Sequence, residues 1–572
     1  MKRLSITLLT IVFFIISVQA EEIEEYWEEH GENDELAFIL EYGTACWDWL
    51  KPEIIGYRLY LSPVDSSSLE AVIPNRPKMF KPREGIGFSF TLRNSGEALD
   101  RRMVRSELSY SDAVSIRYIT ESDPGEDWGD FNAYYLTYRS DSWRAVLGNY
   151  SAGFGQGLAL WRGFNWGVYP ENPVSPFKSD FLRGYSSTGE NGALFGGGIQ
   201  RMGKVISLIA FYSDSKWDAS AGEDGVITLQ TSGEHTTSSQ LENKDKLRER
   251  IYGSRLNIHI ASLLSLGLSM TSADYSPPFA PGDSVKGAFD FAGDRNTVWG
   301  VDGVYERDIF TAAGEFARTS SGGTAGLARF QLKFDKVTCQ LSMRDFSRDF
   351  KNLRSIEPDG NERGFTLAFS LKPWQGGLVN AYIDSWRRPW RTYSYEMPPA
   401  GYQTALYFAQ RFSEYEFSLR LRKSFTDRGG DELTRNQFRL NVERDLGWIT
   451  VRLRFEKMAA SSSESDEVGY LISGGLKGGL FTGRGELSVS RFEIPDYDCR
   501  IYQYQANVPG MFGVPFYYGN GFNVNVVYKL NLFRDLILAA NASITQYSWK
   551  PNIPGGEIDR TFSLYLSYRR SS

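Results

Sequence analysis

Apolar and polar residues alternate one by one over long parts of the chain. Between residues 415 and 424, for example, Phe417, Leu419 and Leu421 alternate with polar or ionised neighbours. Successive side chains of a β-strand point to opposite faces, so each such segment predicts a strand with one apolar and one ionised face. A soluble sheet with a core on one side can show this pattern. Roughly two dozen such strands behind an export signal are instead typical of a membrane barrel, apolar toward lipid and polar toward a lumen.

From residue 86 onward the alternation predicts about 24 strands, with a range of about 22 to 26. They lie near residues 86–93, 103–110, 113–120, 132–139, 143–151, 193–201, 203–213, 249–260, 263–273, 297–306, 309–318, 324–333, 336–345, 363–372, 377–386, 402–412, 415–424, 434–444, 448–457, 467–476, 480–491, 520–530, 536–546 and 560–569. Bacterial outer-membrane barrels have an even number of antiparallel strands. We therefore predict an all-β fold: a large transmembrane antiparallel up-and-down β-barrel over residues 86–572, preceded by a short N-terminal helical segment.

The connections between these strands alternate in length. Short connections fall at residues 111–112, 140–142, 202, 261–262, 307–308, 335, 413–414 and 445–447. Long polar connections fall at residues 152–192, 214–248, 274–296, 346–362, 387–401, 492–519 and 547–559. Short turns on one rim and long loops on the other are typical of outer-membrane barrels, and a soluble all-β protein has no reason to keep that order.

The first twenty residues have the features of a signal peptide. Lys2 and Arg3 form a basic start, residues 4–18 are mostly apolar, and Ala20 ends a small-residue cleavage site. The apolar run is too short for a spanning helix, which needs about 20 residues. We predict that residues 1–20 are a signal peptide and that the chain is exported to the outer membrane of a Gram-negative cell.

The acidity of the chain is concentrated near its N-terminus. Residues 21–45 carry ten acidic side chains and neither Lys nor Arg, whereas the whole chain has a net charge of -7. The barrel itself is therefore near neutral. We predict that residues 21–85 form an acidic helical segment in the periplasm, which is solvated, docks to a basic partner or plugs the lumen. An aromatic content of 15% and a mean hydropathy of -0.36 agree with a barrel that has aromatic girdles and an ionised lumen.

Cysteine and histidine are scarce and do not indicate a catalytic or metal site. Cys46, Cys339 and Cys499 are far apart and form no CxxC pair, so the sequence indicates neither a disulfide framework nor a metal site. A disulfide between Cys46 and Cys499 stays open as an alternative. Among the histidines only His259 lies on a predicted strand, on its polar face. A barrel hydrolase would need a serine paired with a histidine, and we expect no enzymatic activity and no cofactor.

The polar faces of several strands carry ionised side chains that would line the lumen. The candidates are Arg105, Glu107, Arg117, Glu416, Arg420, Arg422, Arg439, Glu443, Arg452, Arg454 and Glu456. One interpretation is a lattice of ion pairs between strands that stiffens the wall. The other is a charged constriction that selects solutes, because rings of charge set selectivity in channels. The carboxylates interleaved among the arginines favour the lattice.

Residues 149–192 form the least regular stretch and the best candidate for a gate. Closely spaced glycines let the backbone bend sharply or approach another backbone. The candidate constriction residues are Phe154, Gln156, Trp161, Phe164 and Trp166. The segment is either a bulged strand folded inward against the wall or a gate whose aromatic side chains stack on sugar rings or other planar solutes. A phosphate cradle is disfavoured, because no helix start with Lys followed by Ser or Thr is present.

Residues 154–161 (FGQGLALW) and 184–191 (GYSSTGEN) resemble a motif in a family of bacterial outer-membrane barrel proteins. Members of that family usually carry helix-hairpin-helix modules before the barrel. Residues 61–72 are similar to the opening helix of such a module, but residues 73–77 stand where its glycine-rich hairpin should follow. The resemblance implies an exported barrel engaged in transport or envelope work. Because the module is degenerate, we expect no nucleic-acid partner.

The end of the chain suggests two further partners. Phe562, Leu564, Leu566 and Tyr568 alternate with polar residues in a segment that resembles the C-terminal aromatic strand of outer-membrane proteins. Such strands are presented to the barrel-insertion machinery, although many of these proteins end on the aromatic residue, whereas residues 569–572 follow here. We therefore expect the insertion machinery and outer-membrane lipid as partners.

Three functions are compatible with the sequence. The first is an outer-membrane channel or uptake protein for an unknown polar solute, occluded by the loops at residues 152–192 and 492–519. The second is a non-conducting envelope scaffold or surface-binding barrel whose loops fill the lumen. The third, an exported soluble β-rich carbohydrate binder, is disfavoured by the alternation of loop lengths. A TonB-dependent receptor would need a plug domain before its barrel, for which residues 21–85 leave too little room.

Overall fold

The computed structural model of the protein describes residues 85–571, apart from residues 112, 164–166, 262, 282–284, 286, 464, 534 and 551–555. The predicted signal peptide and the predicted acidic segment up to residue 84 lie outside the described residues. So do Cys46 and two candidate constriction residues, Phe164 and Trp166. No helix in the described part of the chain is long and apolar enough to cross a membrane.

The main sheet has 26 strands, of which two are short additions in loops and the other 24 form the barrel wall. The wall strands are β1 (Ile86–Gly96), β2 (Arg101–Tyr110), β3 (Val114–Ser122), β4 (Phe131–Arg139), β5 (Trp143–Gly153), β6 (Leu194–Arg201), β7 (Ile206–Ala221), β8 (Leu247–Ile260), β9 (Leu264–Phe279), β10 (Gly293–Arg307), β11 (Phe310–Thr319), β12 (Thr324–Lys333), β13 (Val337–Phe346), β14 (Arg363–Leu371), β15 (Gly377–Arg387), β16 (Ala400–Phe412), β17 (Tyr415–Asp427), β18 (Glu432–Asp445), β19 (Ile449–Ser461), β20 (Asp466–Leu480), β21 (Gly483–Ile494), β22 (Gly519–Phe533), β23 (Leu536–Trp549) and β24 (Glu557–Ser571).

Each wall strand pairs antiparallel with the next one along the chain, and β24 pairs with β1 to close the ring. At the closing seam Thr91 lies opposite Ser567, and Gly96 lies opposite Phe562. A closed ring leaves no strand edge with unpaired backbone groups, which is what a lipid environment requires. The predicted barrel is confirmed, and every wall strand overlaps the strand that the alternation predicted for it.

Burial along the wall strands is the reverse of that in a soluble protein. On β17, Phe417 and Leu421 are exposed, whereas Ser418 and Arg420 between them are buried. The same alternation of exposed apolar and buried polar side chains recurs around the ring. The outer face is therefore apolar and the inner face polar, as in barrels that span membranes.

The two rims of the barrel differ as predicted. The turn rim carries the first residue of β1 and the last residue of β24. Its connections have at most five residues and lie at 111–113, 140–142, 202–205, 261–263, 308–309, 334–336, 372–376, 413–414, 446–448, 481–482 and 534–535. The loop rim carries the connections at 97–100, 123–130, 154–193, 222–246, 280–292, 320–323, 347–362, 388–399, 428–431, 462–465, 495–518 and 550–556.

Some strands extend beyond their predicted ends at the loop rim. Residues 214–221 were expected in a loop but continue β7, and residues 274–279 continue β9. These segments were expected in loops because residues 214–221 lack apolar side chains on the outer face and residues 274–279 contain two prolines. Four short strands also lie in loops: Phe181–Gly184 pairs with β5, Val226–Gln230 pairs with β7, and Ile501–Tyr502 pairs with Phe516–Tyr517. The short helix α1 (Ser238–Asn243) begins at Thr237, which forms a capping box with Gln240.

Candidate functional site: a lumen closed by two loops

Two loops from the loop rim fold inward and bond to the polar inner face of the wall. We name them the plug loop (residues 154–193) and the second loop (residues 495–518). The plug loop consists of a fixed arm (residues 154–163), a crossing arm (residues 167–180) and a return arm (residues 181–193). Together these segments contact most of the wall, so they decide whether the lumen is open.

The fixed arm contains the glycine-rich motif and wraps around one carboxylate of the wall. Glu315 on β11 accepts hydrogen bonds from the backbone N–H groups of Gln156 (2.6 Å), Leu158 (3.2 Å) and Ala159 (3.2 Å). Gly155 and Gly157 have φ angles of 53° and 103°, which lie in the left-handed region that favours glycine. The glycines therefore allow the turn that points the N–H groups of residues 156, 158 and 159 at Glu315.

Apolar packing holds the fixed arm in place as well. Phe154 and Leu160 are fully buried in a cluster that includes Phe211 and Trp217 on β7. On the other side of the arm, Leu158 packs with Phe350 and neighbouring apolar residues of β10 to β13. A fully buried side chain of this size contributes about 1.5–3 kcal/mol, so the arm is firmly attached.

The loop at residues 347–362 clasps the fixed arm from the lumen side. The backbone N–H of Trp161 donates to the carbonyl of Arg354 (2.7 Å), and that of Ile356 donates to the carbonyl of Gly157 (2.9 Å). The side-chain amide of Asn352 donates to the carbonyl of Leu158 (2.8 Å). These bonds satisfy the backbone of an irregular segment that is shielded from water.

A buried ion pair fixes that clasp to the wall. The Arg354 guanidinium donates to Glu249 on β8 at 2.8 Å, and both side chains are at most 1% exposed. The guanidinium also lies 4.4 Å from the ring centre of Trp217, a cation–π distance. Trp217 donates its indole N–H to the same carboxylate at 3.2 Å. The arginine, carboxylate and tryptophan therefore form one closed unit.

The crossing arm spans the lumen. The plug loop leaves the wall from β5, and Glu171 on the crossing arm forms an ion pair with Arg420 on β17, with Nε 2.7 Å from the carboxylate oxygen. β5 is the fifth and β17 the seventeenth strand of a ring of 24, so these strands lie on opposite walls. The plug loop therefore links opposite walls, and further contacts of the crossing arm lie on β8, β12 and β13.

Further contacts of the crossing arm with the far wall are mainly polar. Gln340 on β13 exchanges two hydrogen bonds with the backbone of Ser175, at 3.0 and 2.8 Å. The Arg329 guanidinium on β12 donates to the carbonyl of Pro176 at 2.5 Å. Its apolar contacts come from Val168 and Val174, which are partly buried against the wall, and from Pro170 and Pro173, which are buried.

The end of the crossing arm returns to the fixed arm. Asp180 accepts from the backbone N–H of Gly155 (2.9 Å) and from Arg255 on β8 (2.6 Å). The Lys178 ammonium lies 4.9 Å from the ring centre of Trp161. Burial and the positive charge of Arg329 hold the pKa of Lys178 well below its usual value. The negative charges of Glu315 and Glu357 act in the opposite direction but do not outweigh the burial.

The second loop covers the remaining sector of the wall, from β19 round to β1. Arg454 on β19 donates to the carbonyl of Tyr502 (2.7 Å), and Arg93 on β1 donates to the carbonyl of Gly510 (2.6 Å). Between them the Gln505 amide donates to Asn523 on β22 (2.7 Å) and accepts from Ser543 on β23 (3.0 Å). Two inward loops are thus bonded to the inner face of the wall, with polar groups at both contacts.

The predicted lumen-lining residues lie on the inner face and are mostly paired. Glu456 is buried between Arg439 (2.8 Å) and Arg454 (2.9 Å). Most of the other candidates form ion pairs as well. Arg117 pairs with Glu107, Arg452 with Glu443 and Glu486, Arg420 with Glu171, and Glu416 with Arg411. Arg105 donates to the carbonyl of Ser186 at 2.8 Å, and Arg422 lies beside the amide of Gln403.

The three predicted constriction residues that the structure describes are buried inside the fixed arm. Phe154 is 0%, Gln156 5% and Trp161 9% exposed, so none of them forms an open platform for a solute. Trp161 packs edge-on against Phe181 with ring centres 5.3 Å apart. These side chains hold the plug together in the closed structure, whereas the groups that span the lumen belong to residues 167–180.

Sequence reasoning missed the residues that close the lumen. Glu171 and Arg354 lie in long polar loops, where nothing in the local sequence indicates a partner hundreds of residues away. Glu315 lies on a predicted strand and alternates onto its polar face. That alternation could have placed it in the lumen, but not opposite the glycine-rich motif.

His259, the histidine predicted on a polar strand face, contacts two serines. Its ring nitrogens lie 3.1 Å from Ser207 Oγ and 2.6 Å from Ser265 Oγ. No carboxylate among the described residues hydrogen-bonds the ring, so the orienting acid of a hydrolytic triad is not in place. The expectation of no enzymatic activity stays a prediction.

The fold defines the class of the protein: a closed antiparallel β-barrel of 24 strands, with an apolar outer face and loops bonded to its polar inner face. No family model and no curated protein matches the chain. The resemblance carried by residues 154–161 therefore stays a prediction.

Among solved structures, the chain is similar to the copper transporter OprC (9% identity, TM-score 0.41, covering 86% of this chain and 81% of that chain). It is also similar to the siderophore receptor PirA from Acinetobacter baumannii (10% identity, TM-score 0.43, 86% of this chain and 81% of that chain). A third is the FrpB iron transporter from Neisseria meningitidis (10% identity, TM-score 0.39, 85% of this chain and 81% of that chain). Likeness at this level is too low to transfer any property to this protein.

Proposed function

We propose that the protein is an outer-membrane β-barrel that admits polar solutes through a lumen closed at rest by the plug loop and the second loop. The apolar outer face and the closed ring fit a protein embedded in lipid. The same outer face disfavours an exported soluble carbohydrate binder, because a soluble protein would expose this apolar belt to water.

One observation carries the proposal: the segment that spans the lumen is held by polar contacts. The ion pair of Glu171 with Arg420 and the bonds of Ser175 and Pro176 can be exchanged for water when the arm moves. Polar groups released into a wet lumen do not incur the cost of an unpaired buried group. Movement of the crossing arm would therefore open an aqueous path lined by ionised side chains.

The test is conductance of the purified barrel in a planar lipid bilayer. In a matched variant, residues 164–178 are replaced by a short glycine linker. This join is feasible because Gly163 and Phe181 are neighbours: a methyl group on Gly163 would lie 2.9 Å from the Phe181 ring. The fixed arm and Asp180 remain, so the wall keeps its packing. Circular dichroism verifies that the variant is folded.

We expect the intact protein to be silent or to open rarely, and the linker variant to conduct in large steady steps. A second variant with the same linker replacing residues 507–512 of the second loop shows whether that loop closes an independent path. Silence of both folded linker variants would contradict the proposed function.

A second candidate function is a non-conducting scaffold of the cell envelope. It is favoured by the fixed arm and its clasp, whose buried ion pair and apolar clusters tie the interior permanently to the wall. Silence of the linker variants in the bilayer would support this candidate. The natural solute of a conducting barrel would be sought among polar compounds, because the lumen face is polar.

A further inference from the structure

Five side chains from three segments of the loop rim converge on one imidazole. His235 lies in the loop between β7 and β8, and its side chain is only 2% exposed. Around it lie Glu126 and Asp130 from the loop between β3 and β4, Glu190 from the return arm of the plug loop, and Asp218 near the end of β7. None of the lumen contacts described above involves this cluster.

Three carboxylates face the same nitrogen of the ring. The distances from His235 Nδ1 are 2.6 Å to Asp130, 3.8 Å to Glu190 and 3.9 Å to Glu126. Ligand atoms of a tetrahedral zinc site, each about 2.0–2.2 Å from the metal, lie about 3.3 Å from one another. The ligand atoms of Glu126, Asp130 and His235 all lie within 4.8 Å of one another, and those of Glu190, Asp218 and His235 form a second such group, so an ion shared by the three carboxylates draws Glu190 toward the first group.

The other nitrogen of the ring has a different partner. His235 Nε2 lies 3.0 Å from Asp218, within hydrogen-bond distance. A histidine that ligates a metal through one nitrogen commonly donates its other N–H to a carboxylate, which fixes the tautomer and orients the ring. Asp218 is itself positioned, because its second oxygen accepts the backbone N–H of Asp245 at 2.9 Å.

The charges in the cluster do not balance. Four carboxylates meet one imidazole, and the ammonium near them is Lys244, which lies 2.5 Å from the far oxygen of Asp130. Even with the imidazole protonated, negative charge is in excess in a place that is mostly shielded from water. This cluster also differs from a solvated group of surface acids. The imidazole of His235 is buried at the point where the carboxylates meet.

We propose that His235, Asp130, Glu126 and Glu190 bind a divalent transition-metal ion of the Zn²⁺ or Mn²⁺ type, with Asp218 orienting the imidazole. One nitrogen and three carboxylate ligands suit these ions better than Ca²⁺ or Mg²⁺, which prefer oxygen alone. The ion would join the β3–β4 loop, the return arm and the β7–β8 loop at a single point. The site does not depend on the proposed function, since it lies outside the crossing arm.

The test is a calorimetric titration of the purified, chelator-treated barrel in detergent with Zn²⁺, Mn²⁺ and Ca²⁺. We expect one ion of Zn²⁺ or Mn²⁺ per chain and much weaker binding of Ca²⁺. His235→Ala should abolish the binding, and Asp218→Asn should weaken it by about ten- to a hundredfold through the loss of orientation. The matched control is His259→Ala, because His259 is also a buried histidine but contacts serines instead of carboxylates.

Circular dichroism shows whether each variant is folded. Glu190→Gln serves as a second ligand variant, since Glu190 lies at a 3-10 turn of a loop and not in the barrel wall. The proposal is overturned if the folded wild-type protein binds neither Zn²⁺ nor Mn²⁺. It is equally overturned if His235→Ala and Glu190→Gln bind as tightly as the His259→Ala control.

Discussion

The fixed arm and the crossing arm belong to one loop but are held by different kinds of contact. The fixed arm has fully buried apolar side chains, such as Phe154 and Leu158, and lies between Glu315 and the clasp of Arg354. The crossing arm meets the far wall through Glu171, Ser175 and Pro176, with little apolar packing. Release of the fixed arm would strand buried groups, whereas release of the crossing arm exposes groups that water can satisfy.

The difference between the two arms indicates which part of the plug loop stabilises the fold and which part can open the lumen. Parts of a protein that move are drawn from regions with few buried apolar contacts. By that criterion the fixed arm belongs to the folded core of the barrel, and the crossing arm is the element that can respond to a solute. Variants in the two arms should therefore separate into those that change the free energy of unfolding and those that change conductance.

The largest expected effect comes from the ion pair behind the fixed arm. Glu249→Gln leaves the Arg354 guanidinium buried without a counterion, and breaking such a pair costs about 3–5 kcal/mol. We expect this loss in the free energy of unfolding, measured by urea titration in lipid vesicles. The control is Arg248→Ala on the same strand, because the Arg248–Asp214 pair is solvent-accessible and surface ion pairs contribute little to stability. Equal effects of the two variants would contradict a special role for the buried pair.

The carboxylate at the glycine-rich turn should have the next largest effect. Glu315→Gln keeps the size of the side chain but removes the charge that receives three backbone N–H groups. Loss of hydrogen bonds to a charged acceptor is expected to cost about 2–3 kcal/mol in the same unfolding assay. Glu306→Gln on neighbouring β10, near the turn rim, is the control. If Glu315→Gln were as stable as wild type, the fixed arm would not depend on this carboxylate.

A smaller effect is expected from crowding at the turn itself. Gly157→Ala places a methyl group 3.1 Å from the Trp161 side chain at a φ of 103°. Gly322→Ala is matched to it, because Gly322 has a φ of 104° and nothing within 4 Å of its added methyl group. Both variants carry the cost of a left-handed alanine, about 1–2 kcal/mol. Any additional loss of unfolding free energy in Gly157→Ala measures how closely the fixed arm is packed around Trp161. Equal losses in the two variants would show that the packing relaxes to accept the methyl group.

The smallest effect on stability, and the clearest on conductance, is expected in the crossing arm. Glu171→Gln weakens the contact with Arg420 and should shift the arm toward the open position by about 1.4 kcal/mol, or tenfold in open frequency. The free energy of global unfolding should hardly change, because release of the arm is local. The control is Glu416→Gln, which breaks the exposed pair with Arg411. Glu416 lies on β17, the strand that carries Arg420. A large loss of global stability in Glu171→Gln would mean that both arms belong to the core.

The wall was predictable from sequence because its cause is local. Contact with lipid requires an apolar residue at every second position, so Phe417, Leu419 and Leu421 reveal their strand without knowledge of any partner. Where strands project beyond the lipid, as in residues 214–221, that requirement ends and the prediction failed. Even so, the paired arginines on the inner face were placed correctly by alternation alone.

The interior was not predictable, because its contacts join distant parts of the chain. Glu171 and Arg420 are 249 residues apart in sequence, and Arg354 and Glu249 are 105 apart. The cluster around His235 draws on three loops and has no characteristic spacing, so its histidine read as an isolated residue. The glycine-rich motif was recognised as unusual and left two alternatives, and the burial of Phe154 and Trp161 agrees with the one in which the segment folds inward against the wall.

The crossing arm also has a mechanical consequence. A ring of 24 strands is a wide, thin-walled cylinder, and lateral pressure from the surrounding bilayer tends to flatten such a cylinder into an oval. The plug loop leaves from β5 and is bonded to β8, β12, β13 and β17, so it ties strands around half of the ring to one another. The arm is thus a brace as well as an obstruction. Release of the arm would make the barrel easier to deform at the moment when the path opens. The tension of the membrane would then affect the permeability of the barrel.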